Sequence, residues 1–182
     1  ELGRPWQLPT PHDSPIRMAG GVPDPSFLPV EDLRESLNRV LDNESAEALQ
    51  YGGIVGAPAL KEGIAKRQSR IEGMDILPDN LIMTNGSSGG IDNVGRAFVN
   101  RGDIIIVEKP TYPGSTRTMR ANGAELVDVE MDEEGVIIEK LEEIIDKLQA
   151  DGKTAKFFYT ISDFHNPAGL TYSLDRRADL IK

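Results

Sequence analysis

The sequence predicts an α/β fold: a doubly wound, mostly parallel sheet with helices on its faces, preceded by an extended arm and a short helix. Three observations carry that reading. Short apolar runs able to form strands recur at residues 81–84, 104–108, 125–131 and 156–161. A stretch able to form a helix separates each run from the next, most clearly where Ile137, Leu141, Ile144, Ile145 and Leu148 repeat at helical spacing. From Tyr51 onward, glycine-rich turns alternate with these elements.

Taken in order, residues 1–30 carry Pro5, Pro9, Pro11, Pro15, Pro23, Pro25 and Pro29. Each proline fixes φ and removes a backbone donor, so no regular element can run far and an extended arm is expected. Over residues 31–41, Leu33, Leu37, Val40 and Leu41 fall at helical spacing and predict a short helix with one apolar face. Pro58 suits the first residue of the next helix and Gly73 its C-terminal stop, so the body of the domain begins near Tyr51. Ser173 suits the N-cap of a final helix. Alternating strands and helices of this kind are joined by right-handed crossovers and bind ligands outside the carboxyl ends of the strands. The loops after Thr84, Glu108 and Ile161 are therefore where a site is expected.

Composition narrows the classes. A chain of 182 residues, 38% hydrophobic and 27% charged, is long enough to bury a core. Lys and Arg number 20 against 30 Asp and Glu, a net charge of −10 that repels a phosphate backbone, so nucleic acid is not an expected partner. No cysteine is present, which excludes disulfides, thiolate metal sites and cysteine nucleophiles. No apolar run approaches the roughly 20 residues a membrane-spanning helix needs, and no basic segment with an apolar core opens the chain. No membrane association and a cytoplasmic location are expected. The chain opens without Met and closes on Leu180-Ile181-Lys182 inside a predicted helix, so a fragment is expected.

The first loop reads Thr84-Asn85-Gly86-Ser87-Ser88-Gly89-Gly90, after a strand candidate and opening a helix. Backbone N–H groups at glycines, with the positive end of the helix dipole, form an anion seat. No Lys-Ser or Lys-Thr follows, so it is not a Walker A loop, and the spacing does not match G-x-G-x-x-G. Taken alone, the same residues also fit a tight strand-to-helix turn. In the second loop, Pro110 and Pro113 hold Tyr112 at a strand's carboxyl end, where its ring can stack on a flat ligand or simply pack on the surface. The third loop, residues 162–171, contains Asn166-Pro167-Ala168-Gly169, which is also ordinary turn chemistry. His12 and His165 read as solvated or packed imidazoles rather than bases, and Asp163 as a surface or loop-capping carboxylate. The acidic residues between Asp128 and Glu134 lack the order of a calcium loop, and no metal is expected.

Together the loops resemble the class I/II aminotransferases of fold type I, which depend on pyridoxal 5'-phosphate (PLP), in the branch of the α-aminoadipate and aromatic aminotransferases and the MocR-like domains. The resemblance runs through Met18-Ala19-Gly20-Gly21-Val22-Pro23-Asp24, Leu49 to Gly56, the Gly86 loop, Arg101-Gly102-Asp103, Glu108 to Gly114, Asp132 to Gly135 and Asn166 to Gly169. It implies the N-terminal part of the fold-type I large domain, with residues 1–48 as arm and start of the small domain and residues 49–182 as the first, incomplete part of the PLP-binding domain.

By that resemblance, Ser87 and Ser88 hold the cofactor phosphate, with Gly86 and Gly89 letting the backbone approach. Where the branch usually has two glutamines, this chain has Ser88 and Gly89, which shifts the expected contacts toward backbone N–H groups. Tyr112 stacks on the pyridine ring, and Asn166 donates to its phenolic oxygen and borders the substrate. Gly21 lines the substrate entrance. Tyr51 reaches the partner subunit's cofactor in a homodimer. The Schiff-base lysine and the aspartate that pairs with the pyridine nitrogen are expected beyond Lys182, so the segment alone is expected to be inactive. The activity implied is transfer of an amino group between an amino acid and a 2-oxo acid. The alternatives are a PLP-sensing domain of a MocR-type regulator, or a non-catalytic relic that dimerises.

Overall fold

The computed structural model describes residues 21, 23–52 and 56–182. His12, Arg17 and the rest of the proline-rich arm up to residue 20 lie outside the described residues, as do Val22 and residues 53–55. The chain divides into two compact units, Glu1–Ala57 and Pro58–Lys182.

In the first unit, Asp24 caps a single 3-10 turn, Pro25–Phe27, by accepting from the Ser26 N–H at 2.8 Å. The predicted short helix is longer than residues 31–41: α1 spans Val30–Ala48. Neither proline nor glycine interrupts residues 42–48, so helix continues through them, with one kink at Glu44 (φ −135°). Its apolar face, with Leu33, Leu37 and Leu41, stands exposed.

The second unit opens with α2 (Pro58–Glu72), which stops at Gly73 with φ +66° as its position predicts. Residues 81–84 do not form the strand expected of them. Among the described residues they have no ladder partner, and an apolar run becomes a strand only where a neighbour takes its backbone groups. Then follow α3 (Gly86–Phe98), β1 (Ile104–Lys109), α4 (Pro113–Ala121), β2 (Glu125–Asp132), β3 (Gly135–Val136), α5 (Ile138–Ala150), β4 (Ala155–Tyr159) and α6 (Leu174–Leu180).

The strand order is β3-β2-β1-β4. β1 pairs parallel with both β2 and β4, and only the two-residue β3 runs antiparallel, against β2. The sheet is thus mostly parallel, as predicted. β1 shows why the run Ile104-Ile105-Ile106-Val107 is apolar without alternation: both of its faces are covered, as in parallel sheets generally. Ile105 and Val107 pack with Met119 and Ile91 on the face of α3 and α4. Ile106 packs with Leu141, Val129 and Val136 on the face of α5 and α6. Gly135 opens β3 at φ +124°, directly after the turn, and a Cβ there would meet the Tyr172 ring at 2.6 Å, so only glycine fits.

Arg176 of α6 fastens that turn to the body. Its guanidinium donates to Asp132 Oδ2 at 2.8 Å and Oδ1 at 3.2 Å, and to the carbonyls of Gly135 and Val136. The Arg176 hydrogen bond, with help from the Glu134 N–H, holds the Asp132 carboxyl below its ordinary value of 3.8. A carboxyl depressed by folding stabilises the fold above the unfolded-state pKa and loses that contribution as pH falls through the folded-state value. Asp132→Asn is therefore expected to reduce the urea midpoint at pH 7, with the gap to wild type closing as pH drops below 3.8. A gap that stays constant from pH 7 to pH 3 would refute the coupling.

Candidate functional site

From β1 the chain passes through α4 to β2 on one side, then through α5 to β4 on the other. The crevice between the carboxyl ends of β1 and β4 is therefore a topological switch point, where open α/β sheets place ligands. The three loops singled out above meet at this end. Ser87, at the start of α3, lines one apolar cavity of about 330 Å³ with Tyr159, the last residue of β4. The Tyr159 hydroxyl lies 2.6 Å from Ser115 Oγ, in the first turn of α4 beside Tyr112. Thr160 and Ile161, just after β4, both bind Glu108 in β1.

The start of α3 is uncapped. Asn85 makes no side-chain cap bond, and the chain turns into the helix at Gly86 with φ +67°. The Gly86 N–H is taken by Thr84 O at 2.9 Å and the Gly89 N–H by Asn85 O at 3.4 Å. Between them, the N–H groups and hydroxyls of Ser87 and Ser88 have no partner among the described residues, and both side chains are exposed. Two backbone donors and two hydroxyls at the positive end of a 13-residue helix form a seat for a phosphate-sized anion. A Cβ at Gly89 would stand 3.4 Å from Asn85 Cβ, ordinary contact.

Tyr112 occupies the N-cap position of α4 in an extended conformation, with its ring half-buried over Gly114. A Cβ on residue 114 would lie 2.4 Å from a ring carbon, so glycine is what lets the ring lie there. In the same loop, Thr111 Oγ1 is buried without a hydrogen-bond partner among the described residues. Such an orphan hydroxyl is a group that a water or a polar ligand atom can satisfy.

The third loop exposes Asn166, whose amide has no partner among the described residues, directly after the fully buried His165. His165 is the packed imidazole expected of it. Its Nδ1 accepts from the Ala168 N–H at 3.2 Å, so the ring proton sits on Nε2, which is 2.9 Å from Glu108 Oε2. Glu108, 1% exposed, also accepts from Thr160 Oγ1 at 2.6 Å, the Ile161 N–H at 3.1 Å and the Tyr172 hydroxyl. Burial, then the hydrogen bond to Glu108, raises the Tyr172 pKa, so that hydroxyl stays protonated and donates. Sequence reasoning assigned Glu108 no role. The available signal was a carboxylate ending an otherwise apolar, buried strand. Asp163 behaves as read: Arg177 at 2.7 Å and the Ser162 hydroxyl at 3.0 Å hold its carboxyl below the ordinary range.

The structure thus brings Ser87, Ser88, Tyr112 and Asn166 to one end of one sheet. Gly21 and Tyr51 belong to the first unit, where Gly21 has φ +56° and the Tyr51 side chain is exposed. Among the described residues, no helix is long and apolar enough to cross a membrane.

Known proteins match this chain closely. It is 38% identical over 167 residues to the aromatic-amino-acid aminotransferase 1 of Thermococcus litoralis, covering 92% of this chain and 40% of that relative. It is 30% identical to the 2-aminoadipate transaminase of Thermus thermophilus, covering 92% of this chain and 39% of that one. The crystal structure of the Pyrococcus horikoshii kynurenine aminotransferase superposes with a TM-score of 0.82 at 37% identity, covering 89% of this chain and 40% of that one. The chain thus spans about two fifths of the length of these relatives. The model of the family described as aminotransferase class I and II matches residues 18–182, and the chain belongs to that family.

Proposed function

We propose that the full-length protein is a PLP-dependent aminotransferase, moving an amino group between an amino acid and a 2-oxo acid, and that this chain supplies the cofactor-cradling half of its site. The carrying observation is the uncapped start of α3, with the free N–H groups and hydroxyls of Ser87 and Ser88, set at a switch point beside Tyr112 and Asn166. The relatives' names support the reaction class, and the Pyrococcus horikoshii structure was solved in complex with PMP.

The bound cofactor would supply an electron sink for the bond-breaking at the substrate Cα. Ser87 and Ser88 hold its phosphate through backbone N–H groups and hydroxyls, with Gly86 and Gly89 at the point of approach. Tyr112 lays its ring against the pyridine. The Asn166 amide donates to the phenolic oxygen and faces the substrate, with Gly21 near the entrance. Tyr51 serves the partner's phosphate in a cytoplasmic homodimer. Residues 1–48 form arm and small-domain start, and residues 49–182 the first part of the PLP-binding domain. The chain alone is inactive in this reading, because the Schiff-base lysine and the pyridine-pairing aspartate come from further residues. No observation favours the regulator reading; the relatives named above are aminotransferases.

Incubating the full-length protein with PLP is expected to produce a visible cofactor absorbance that collapses on adding an aromatic amino acid or 2-aminoadipate and returns with a 2-oxo acid. Full-length protein that gains no absorbance with PLP excludes the reading.

A further inference from the structure

We infer that Glu108 is a positioning residue: through His165 it fixes where the Asn166 amide meets the cofactor, and it ties the Tyr112 loop to the Asn166 loop. This rests on the assignment of Asn166 proposed above.

Glu108 lies at the carboxyl end of β1, one residue before Lys109-Pro110-Thr111-Tyr112, and its carboxylate is filled by four donors from the other loop and from β4's end. Thr160 and Tyr172 donate to its Oε1, and Ile161 and His165 to its Oε2, so both oxygens are occupied. His165 passes that constraint on. Its proton is locked on Nε2 by Ala168, its N–H donates to Leu170 O at 2.7 Å, and its carbonyl accepts from Gly169 at 2.6 Å. The ring and backbone of one buried residue thus close the turn that carries the exposed Asn166.

The residue before it points the same way. Phe164 takes φ +48° with its side chain 86% exposed, so no packing of that side chain compensates a left-handed backbone. Such outliers persist where surrounding contacts over-determine the chain, and they gather at ligand sites. Here the contacts are the Phe164 N–H to Thr171 Oγ1 at 3.1 Å and the two hydrogen bonds of the His165 ring.

The test is a pH titration of the bound cofactor's absorbance in the full-length protein, with PLP affinity alongside. Asn166→Ala removes a donor from the phenolic oxygen, which then holds the neighbouring proton more tightly, so the midpoint rises by about one pH unit. His165→Phe keeps ring volume but loses both hydrogen bonds. It is expected to raise the midpoint by about half a unit or more in the same direction, and to add little when combined with Asn166→Ala. His165→Gln can still offer one donor and one acceptor and is expected to return most of the shift. Glu108→Leu takes away the acceptor of the His165 Nε2–H and is expected to raise the midpoint in the same direction, an unmoved midpoint there overturning the inference; Glu108→Gln is expected to move it little, because Thr160 and Tyr172 can turn their hydroxyls to accept while the amide oxygen keeps Ile161 and His165. If His165→Phe does not fold, His165→Leu and the Gln rescue carry the comparison, with a full-size shift in Gln counting against the inference. A midpoint that moves in Asn166→Ala and stays in the His165 variants overturns the inference and leaves the function standing. A midpoint that stays in Asn166→Ala overturns the inference and the Asn166 assignment together. Wild-type protein that takes up no PLP overturns the function itself.

Discussion

Leucine in place of Glu108 is expected to lower the unfolding free energy of the protein by about 3–5 kcal/mol, the cost of removing the shared acceptor from a buried hydrogen-bond cluster. The loss is large because the leucine strands four donors at once: the Thr160 and Tyr172 hydroxyls, the Ile161 N–H and the His165 Nε2–H. Each buried group left without a partner costs about 1–3 kcal/mol, less where a water can enter. Glutamine is expected to cost much less, on the order of 1 kcal/mol, since two of the four donors are hydroxyls that can reverse. Denaturant midpoints of the two variants check this. Equal losses would mean that charge rather than hydrogen-bond closure holds the cluster, and no loss in leucine would mean the cluster is not formed.

That cluster was not legible in the sequence, and the reason is distance along the chain. Its members stand 52, 53, 57 and 64 residues from Glu108, and no local periodicity records a meeting of that kind. Elements whose cause is local were legible. Ile104-Ile105-Ile106-Val107 reads as a strand, Gly73 as a helix stop, and Ser173 as the cap that accepts from the Arg176 N–H at 3.1 Å. Residues 81–84 misled because their apolar character is real while no strand pairs with them among the described residues. β3 escaped notice because two residues carry no period; what makes it a strand is the Met131–Val136 pairing and the glycine beneath Tyr172. For the site, the three loops and their residue types were legible, whereas the freedom of the Ser87 and Ser88 donors follows from Asn85 not capping the helix, a side-chain choice that residue type does not dictate.

The start of α3 is the proposed seat of the cofactor phosphate, and aspartate at Ser87 tests it with opposite effects on fold and ligand. A carboxylate in the first turn complements the helix dipole, so the fold is expected to be unharmed or slightly stabilised. The same carboxylate beside a phosphate about 4 Å away costs on the order of 4 kcal/mol per pair of charges at an effective dielectric of about 20. That corresponds to PLP affinity about 100-fold or more weaker. Pyridoxal, the same ring without the phosphate, meets no such repulsion. The decisive measurement is the dissociation constant of PLP and of pyridoxal for wild-type and Ser87→Asp full-length protein. Ser87→Asp is expected to lose PLP affinity about 100-fold or more while pyridoxal affinity changes about threefold at most; equal losses for both ligands, or no loss for PLP, would contradict a phosphate seat at the start of α3.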